Sequence, residues 1–342
     1  MQKKLIALAV AGLMSAPAFA QSNVTVYGIA DAYMAFGSHD KNDMSAINSG
    51  GLSGSRIGFK GSEDLGNGLK AVFTYEQGYD VAGDKDGLAS AARQSFVGLS
   101  SSYGTVSLGR QYAPGYDFIS DAFGSSAILS PQSILAGGAG MSIDAGSNSR
   151  WNSSVAYNGS FSGLKVRAIY AMGATEDATS DLSGDDKYAV GVNYANGPLS
   201  VNAAYQVMKS NTALQDDNKE WTLGAGYDFG MLTLVANYQD AKAIGYTKDN
   251  DGKLWQVGVV VPVGVAGNVH VGYGQIDMDL ADAKAKSYSI AYTHALSKRT
   301  TAYVGYNRTD NDNGLDYGVA PAAAGITGEA SNVVAVGMRH TF

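Results

Sequence analysis

The chain has 342 residues, a formal charge of −7, 44 Gly, 21 Tyr and no Cys, so a disulfide scaffold, a Cys-ligated metal site and a thiol catalyst are excluded. Glycine at nearly twice its usual share of about 7% disfavours a helical bundle, because Gly inside a helix costs roughly 1 kcal/mol relative to Ala. A mean hydropathy of −0.09 and a single apolar run exclude a bundle of membrane-spanning helices.

That run opens the chain. Lys3 and Lys4 precede an apolar stretch from Leu5 to Met14, and Ala18-Phe19-Ala20 supplies small residues where a signal peptidase reads. The pattern predicts a secretory signal over residues 1–20 and a mature chain from Gln21. Losing two Lys and no acid leaves 22 basic against 31 acidic residues, a charge of −9, which argues against a nucleic-acid partner.

From Val24 onward the pattern has period two. Val24, Val26, Ala30, Ala32, Met34 and Phe36 share one parity, whereas Thr25, Asp31 and Tyr33 share the other. Leu69, Ala71, Phe73 and Tyr75 alternate with Lys70, Thr74 and Glu76, and similar stretches recur to the end of the chain, about sixteen strands in all. Short turns are expected at 67–68, 102–104, 158–159, 196–198, 229–230, 265–267 and 296–298. Between them lie long, polar segments at about 38–53, 80–89, 113–149, 173–186, 209–218, 243–252, 277–285 and 310–330. Seven turns alternating with eight loops suit sixteen antiparallel strands with both termini on one side. A water-soluble barrel of that width could not fill its interior with side chains. In an outer membrane, however, the apolar parity faces lipid, the polar parity faces a water-filled lumen, and Tyr and Trp at strand ends form girdles. The expected fold is therefore an all-β, 16-stranded antiparallel transmembrane barrel forming one domain over residues 21–342.

Several stretches carry a resemblance: VTVYGIADAYMAF (24–36), SRIGFKGSEDLGNGLKAVFTYE (55–76), RQSFVGLSSSYGTVSLGRQYAP (93–114), RWNSSVAY (150–157) and VGMRHTF (336–342). They closely resemble the general-diffusion porins of Gram-negative bacteria, nearest to the neisserial and betaproteobacterial branch. The resemblance implies a homotrimer whose third external loop, residues 113–149, folds inward to narrow each pore. It also implies passive passage of ions and small hydrophilic solutes, and residence in the outer membrane beside lipid and lipopolysaccharide. Phe342 ends an outward apolar stripe with Val334, Val336, Met338 and His340, and in the family such an ending resembles the signal read by the assembly machinery.

For transport, the charged groups on the lumen parity matter. Arg56 alternates with Ile57 and Phe59, Arg93 is opposite in parity to Phe96, and Arg150 is opposite to Trp151, Val155 and Tyr157, so all three are expected to face the pore. The resemblance places a basic cluster on the wall at these positions, with Lys60 on the face of Arg56. Arginine suits this role because its planar fork stays charged and binds carboxylate or phosphate at two points. Asp117, Asp121 and Asp144 on the loop, with Glu76 and Asp31, are expected to form an acidic side and set up a transverse field. Arg110 shares the parity of Val106 and Leu108, so either alternation breaks before Pro114 or Arg110 braces the loop base. Arg167 and Arg339 are expected in wider parts of the lumen.

No enzymatic site can be built. His39, His270, His294 and His340 never share a strand at ligand spacing, and the sequence displays no positioned catalytic partner. The runs DNDG (249–252) and DNDNG (310–314) lack a full calcium-loop pattern, so neither a metal site nor a cofactor is expected. Two alternatives to general diffusion stay open: a substrate-selective channel, for example for organic anions, and a plugged adhesive or structural barrel. Anion or cation preference also stays open, since the arginines and the acidic loops pull in opposite directions.

Overall fold

The computed structural model describes residues 23–39, 42–83, 87–124, 126–144, 147–173, 185–212, 215–319 and 327–342. The expected signal segment lies outside the described residues. Alternation of one apolar and one polar side chain produces seventeen strand segments among those described. In chain order they are β1 (Asn23–His39), β2 (Asn42–Ser49), β3 (Arg56–Gly66), β4 (Leu69–Tyr79), β5 (Leu88–Ser101), β6 (Gly104–Tyr112), β7 (Arg150–Phe161) and β8 (Leu164–Ala171). There follow β9 (Lys187–Asn196), β10 (Leu199–Met208), β11 (Asn218–Asp228), β12 (Thr233–Lys242), β13 (Gly252–Val263), β14 (Gly267–Met278), β15 (Ala283–Ala295), β16 (Thr300–Asn311) and β17 (Ser331–Thr341).

Each segment pairs antiparallel with its neighbours, and β1 pairs with β17, so the sheet closes on itself. β2 pairs with residues 32–39 of β1 and β3 with residues 23–29, which makes them one interrupted barrel strand and the barrel sixteen-stranded. Closure matters because lipid cannot satisfy an open sheet edge. Gly28 N donates to Phe342 O (3.0 Å) and Phe342 N to Gly28 O (3.1 Å), so the last residue still pairs with the first strand.

The outward parity is apolar as expected: Val24, Val26, Met34, Phe36, Leu223 and Ile290 are all exposed on the outer face. Hairpin turns follow φ requirements. Asn67 (φ 52°) and Gly68 (φ 78°) are both left-handed, the type I′ geometry that matches strand twist. The turn expected at 158–159 is instead built by Ser162 (φ 45°) and Gly163 (φ 87°), four residues later. Gly159 lies within β7 with the rings of Phe161 and Tyr157 against it, so it makes room for aromatics rather than for a turn. The loop expected at 38–53 is also shorter than foreseen, because β1 and β2 extend the hairpin outward.

The described residues of 113–149 pack inside the barrel against its wall. They contain one α-helix, α1 (Pro131–Ala139), capped by Ser130 Oγ, which accepts from Ser133 N (3.1 Å), and ended by Gly140 at φ 74°. Phe123, Ile128, Leu129 and Ile134 pack on the inner faces of Tyr33, Ala291, Tyr303 and Val333. Leu135, Ala136 and Met141 pack on Leu254, Ile276 and Tyr317. The wall makes space with glycine: a Cβ at Gly305 would sit 2.5 Å from Leu129, and one at Gly272 would sit 2.6 Å from Phe123. Polar wall residues then fasten the segment. Glu220 accepts from Ser142 N and Ser142 Oγ (both 2.6 Å), Gln239 Nε2 donates to Ile143 O (2.8 Å), and Asn202 Nδ2 donates to Ser120 Oγ (2.7 Å).

Candidate functional site: a basic wall facing the inner segment

Three strands bring the arginines together. Arg56 opens β3, Arg93 lies in β5 and Arg150 opens β7, and all three surround Glu76 of β4 and the ring pair Tyr112 and Tyr116. Glu76 Oε1 lies 2.9 Å from Arg93 Nε and 3.8 Å from Arg56 Nη1. It also accepts from Tyr112 OH (2.8 Å), while Tyr27 OH donates to Oε2 (3.1 Å). Tyr112 and Tyr116 stack at 3.7 Å with planes 7° apart. Arg93 Nη2 donates to Tyr116 OH (2.8 Å), and the Arg150 guanidinium stands 5.9 Å and 5.8 Å from the two ring centres. Burial alone would raise the Tyr116 hydroxyl, but Arg93, Arg56 and Arg150 outweigh it and hold the group below its ordinary value. With three cations and one anion, this wall carries a formal charge of +2.

Arg93 reaches the lumen for a different reason from the expected parity. Val97 and Leu99 are exposed outward, and Phe96, on the other parity, lines the lumen beside Gln94 and Ser107. Strict alternation would therefore aim Arg93 at lipid. Glu76 pairs with Gln94 and Gln77 with Ala92, so Arg93 is the extra residue of a β-bulge, and the bulge turns it inward. A second bulge corrects Trp151. Gly109 pairs with Ser154 and Gln111 with Trp151, leaving Asn152 and Ser153 (φ 49°) opposite Arg110 alone. Trp151, expected on the outer face, is 1% exposed and packs inside on Ala113, Ala156 and Ile169.

The five acids do not gather on one face. Glu76 belongs to the basic wall. Asp31 is fully buried and accepts from Gly51 N (3.2 Å), Leu52 N (2.9 Å), Ser53 N (2.8 Å) and Tyr303 OH (2.6 Å). It clamps the break between β2 and β3, and that break supplies Gly54 O and Ser53 Oγ to Arg56 (2.9 and 3.1 Å). Asp31 is thus a support of the cluster rather than a lumen charge. Asp117 pairs with Arg167 at 2.7 Å, Asp121 accepts from Phe123 N (3.1 Å), and Asp144 is buried, only 8% exposed. Lys60 stands apart from the arginines, 5.1 Å from the Tyr27 ring centre, in a hollow that it shares with Gln94, Tyr112 and Arg167.

Arg110 keeps its outward parity and braces the base of the inner segment by donating to Ala92 O, Arg150 O and Asn152 Oδ1. His270 bridges Ala122 O (2.7 Å) and Thr293 Oγ1 (3.0 Å), which assigns it to holding the segment. Tyr27, Tyr112, Tyr116 and Glu220 were missed. For the tyrosine pair a signal existed in Tyr-Ala-Pro-Gly-Tyr (112–116), whose Pro114 turn folds one ring back over the other.

Comparison with known proteins agrees with this architecture. The profile of a family described as Gram-negative porin matches residues 7–314. Outer membrane porin protein 32 of Delftia acidovorans is 35% identical with full coverage of both chains. The major outer membrane protein P.IB of Neisseria gonorrhoeae is 30% identical, with 95% of this chain and 98% of the relative covered. Among solved structures, an anion-selective porin from Comamonas acidovorans superposes with a TM-score of 0.80 at 32% identity, covering 94% of this chain and all of that one. A trimer form of OmpT from Vibrio cholerae shares the fold at a TM-score of 0.66 and 16% identity. A closed sixteen-stranded barrel with an apolar exterior and a charged interior, matched end to end by these relatives, places this chain in the Gram-negative porin family, as an outer membrane channel for passive diffusion.

Proposed function

We propose that residues 113–149 and the wall of Arg56, Arg93 and Arg150 form the constriction of this channel, and that the constriction favours anions. The observation that carries this reading is the imbalance of charge. Two of the three guanidinium groups, those of Arg56 and Arg93, pair with the one carboxylate of Glu76 and the third, Arg150, stands over the tyrosine rings, while Asp117 is taken up by Arg167 and Asp31 by backbone amides. An anion passing the wall meets a row of planar donors in place of lost water, and a cation meets repulsion. Lys60 continues the basic track beyond the cluster. The similar porin from Comamonas acidovorans is anion-selective, which supports the same sign.

The assembly is read as a homotrimer. In support, the outward face of β17 through β5 is largely aliphatic, with Val26, Met34, Ile47, Leu99, Val336 and Met338 exposed. Trp221, Tyr238, Trp255, Tyr288 and Tyr306, the residues that favour a lipid interface, stand on β11 through β16. Phe342 is read as the assembly signal and residues 1–20 as a cleaved export signal. Family and fold are those of a channel, and we assign no enzymatic activity. Purified protein in a planar bilayer provides the test. Steps in groups of three and a reversal potential of anionic sign across a KCl gradient are expected, whereas silence from folded protein would indicate a plugged barrel.

A further inference from the structure

Beside the arginine wall, toward the short turns, the lumen widens into a hollow that charge sorting at the constriction does not use. It measures about 590 Å³ and is bordered by β1 and by β3 through β8. One side chain there departs from the lumen parity. Thr74 and Glu76 on β4, Gln94 on β5 and Ser107 on β6 are polar, as a water-filled channel requires, yet the inward residue after Gln94 is Phe96. Its half-buried ring borders the hollow and stacks on no other ring among the described residues.

Strand register sets what stands beside the ring. Lys60 pairs with Thr74 and Thr74 with Phe96, so the three form one row across the wall. Adjacent strands lie about 4.8 Å apart, which puts the backbones of Lys60 and Phe96 about 10 Å from each other. The Tyr27 ring lies over Gly58 with its hydroxyl on Glu76, and Lys60 Nζ rests 5.1 Å from the ring centre, at the arginine side of the hollow. Lys60 forms no salt bridge, and the side chains of Thr74 and Gln94 form no hydrogen bond, among the described residues. A free cation, two free polar groups and a bare aromatic face at this spacing suit a flat monoanion. A dianion is better served by the three arginines, and an uncharged ring leaves the ammonium without a partner.

Resting on the anion-favouring constriction proposed above, we infer that this hollow is a subsite for aromatic monocarboxylates of about the size of benzoate. The ring of the solute stacks on Phe96, and its carboxylate accepts from Lys60 Nζ, with Thr74 and Gln94 as further donors. A solute held there stands in the lumen next to the arginine wall, so its charge and bulk obstruct the passage of chloride.

Single channels carrying KCl current in planar bilayers provide the test, with benzoate, cyclohexanecarboxylate and benzamide as probes. An aromatic pair gains over simple burial, so benzoate should halve the current at a concentration roughly two- to tenfold below that of cyclohexanecarboxylate. Benzamide, which lacks the charge, should leave the current unchanged. Phe96→Leu should erase the difference between the two acids, whereas Phe96→Tyr, which keeps the ring, should retain it. Lys60→Gln should raise the half-blocking concentration of benzoate about tenfold. The parent's reversal potential in KCl without organic solute reports the constriction separately. An anionic sign with equal block by the two acids overturns the aromatic subsite alone, and a cationic sign overturns the constriction reading and the subsite together. A preference for benzoate that persists in Phe96→Leu, or block by benzamide equal to that by benzoate, would also overturn the subsite.

Discussion

Glu220→Ala should release the C-terminal half of the inner segment from the wall. The carboxylate of Glu220 is fully buried and accepts two bonds from Ser142 and one from Gln239 Nε2, with no cation beside it among the described residues. A hydrogen bond to a charged group is worth roughly 1.5–3 kcal/mol, so the two from Ser142 hold this stretch by about 3–6 kcal/mol. Gln206 Nε2 also reaches Ser142 O (3.3 Å), and Gln239 Nε2 reaches Ile143 O, so some attachment survives. A net loss of about 3 kcal/mol corresponds to roughly a hundredfold faster opening. Hydrogen exchange read by mass spectrometry on a peptide spanning residues 141–149 measures this directly, and open-channel current noise should rise with it. Glu220→Gln keeps the shape and an acceptor for Ser142 but sets two amide groups against each other, so a smaller effect is expected. Unchanged protection of Ser142 and quiet current in Glu220→Ala would refute the assignment of Glu220 as the fastening residue.

Asp31→Ala offers a test of sign. A lumen acid, when removed, would raise anion preference, but a support of the Arg56 platform should lower it, and reversal potentials separate the two. Replacing Asn67 and Gly68 together by Ala forces two left-handed residues, each costing roughly 1–2 kcal/mol, and urea unfolding in vesicles should report a loss of that order. Leu223→Arg on the lipid face should cost about 2–4 kcal/mol near mid-membrane by the same assay, with little change in conductance. Deleting Phe342, whose backbone pairs with Gly28, should lower the yield of assembled barrel while leaving the conductance of each assembled channel unchanged.

The barrel was legible because a strand with lipid on one side and water on the other writes its period into nearly every residue. Val24 to Phe36 and Leu69 to Glu76 needed only alternation, and Asn67-Gly68 needed only φ. Alternation fails where one extra residue enters a strand, and two bulges lie at the functional wall. The Arg93 bulge brings to the lumen a side chain that strict counting sends to lipid, and the bulge at Asn152 and Ser153 buries Trp151 inside. Parity also cannot tell a lumen charge from a buried one. Asp31 and Glu76 share the inward parity, yet one is enclosed by amides and the other lies among guanidinium groups, distinctions set by residues 17 or more positions away.

The central claim is that the arginine wall sets the charge preference of the pore. Removing one cation about 5 Å from a passing ion changes its energy by roughly 0.8 kcal/mol in water, and about 0.5 kcal/mol after screening at 0.1 M salt. Because anions lose what cations gain, each Arg→Ala change should shift the anion-to-cation permeability ratio about fivefold. The decisive measurement is the reversal potential of Arg56→Ala, Arg93→Ala and Arg150→Ala, singly and combined, across a KCl gradient at low salt. The account predicts a stepwise shift toward cations, with larger conductance as the constriction widens. Reversal potentials equal to the parent's in all of them would contradict it.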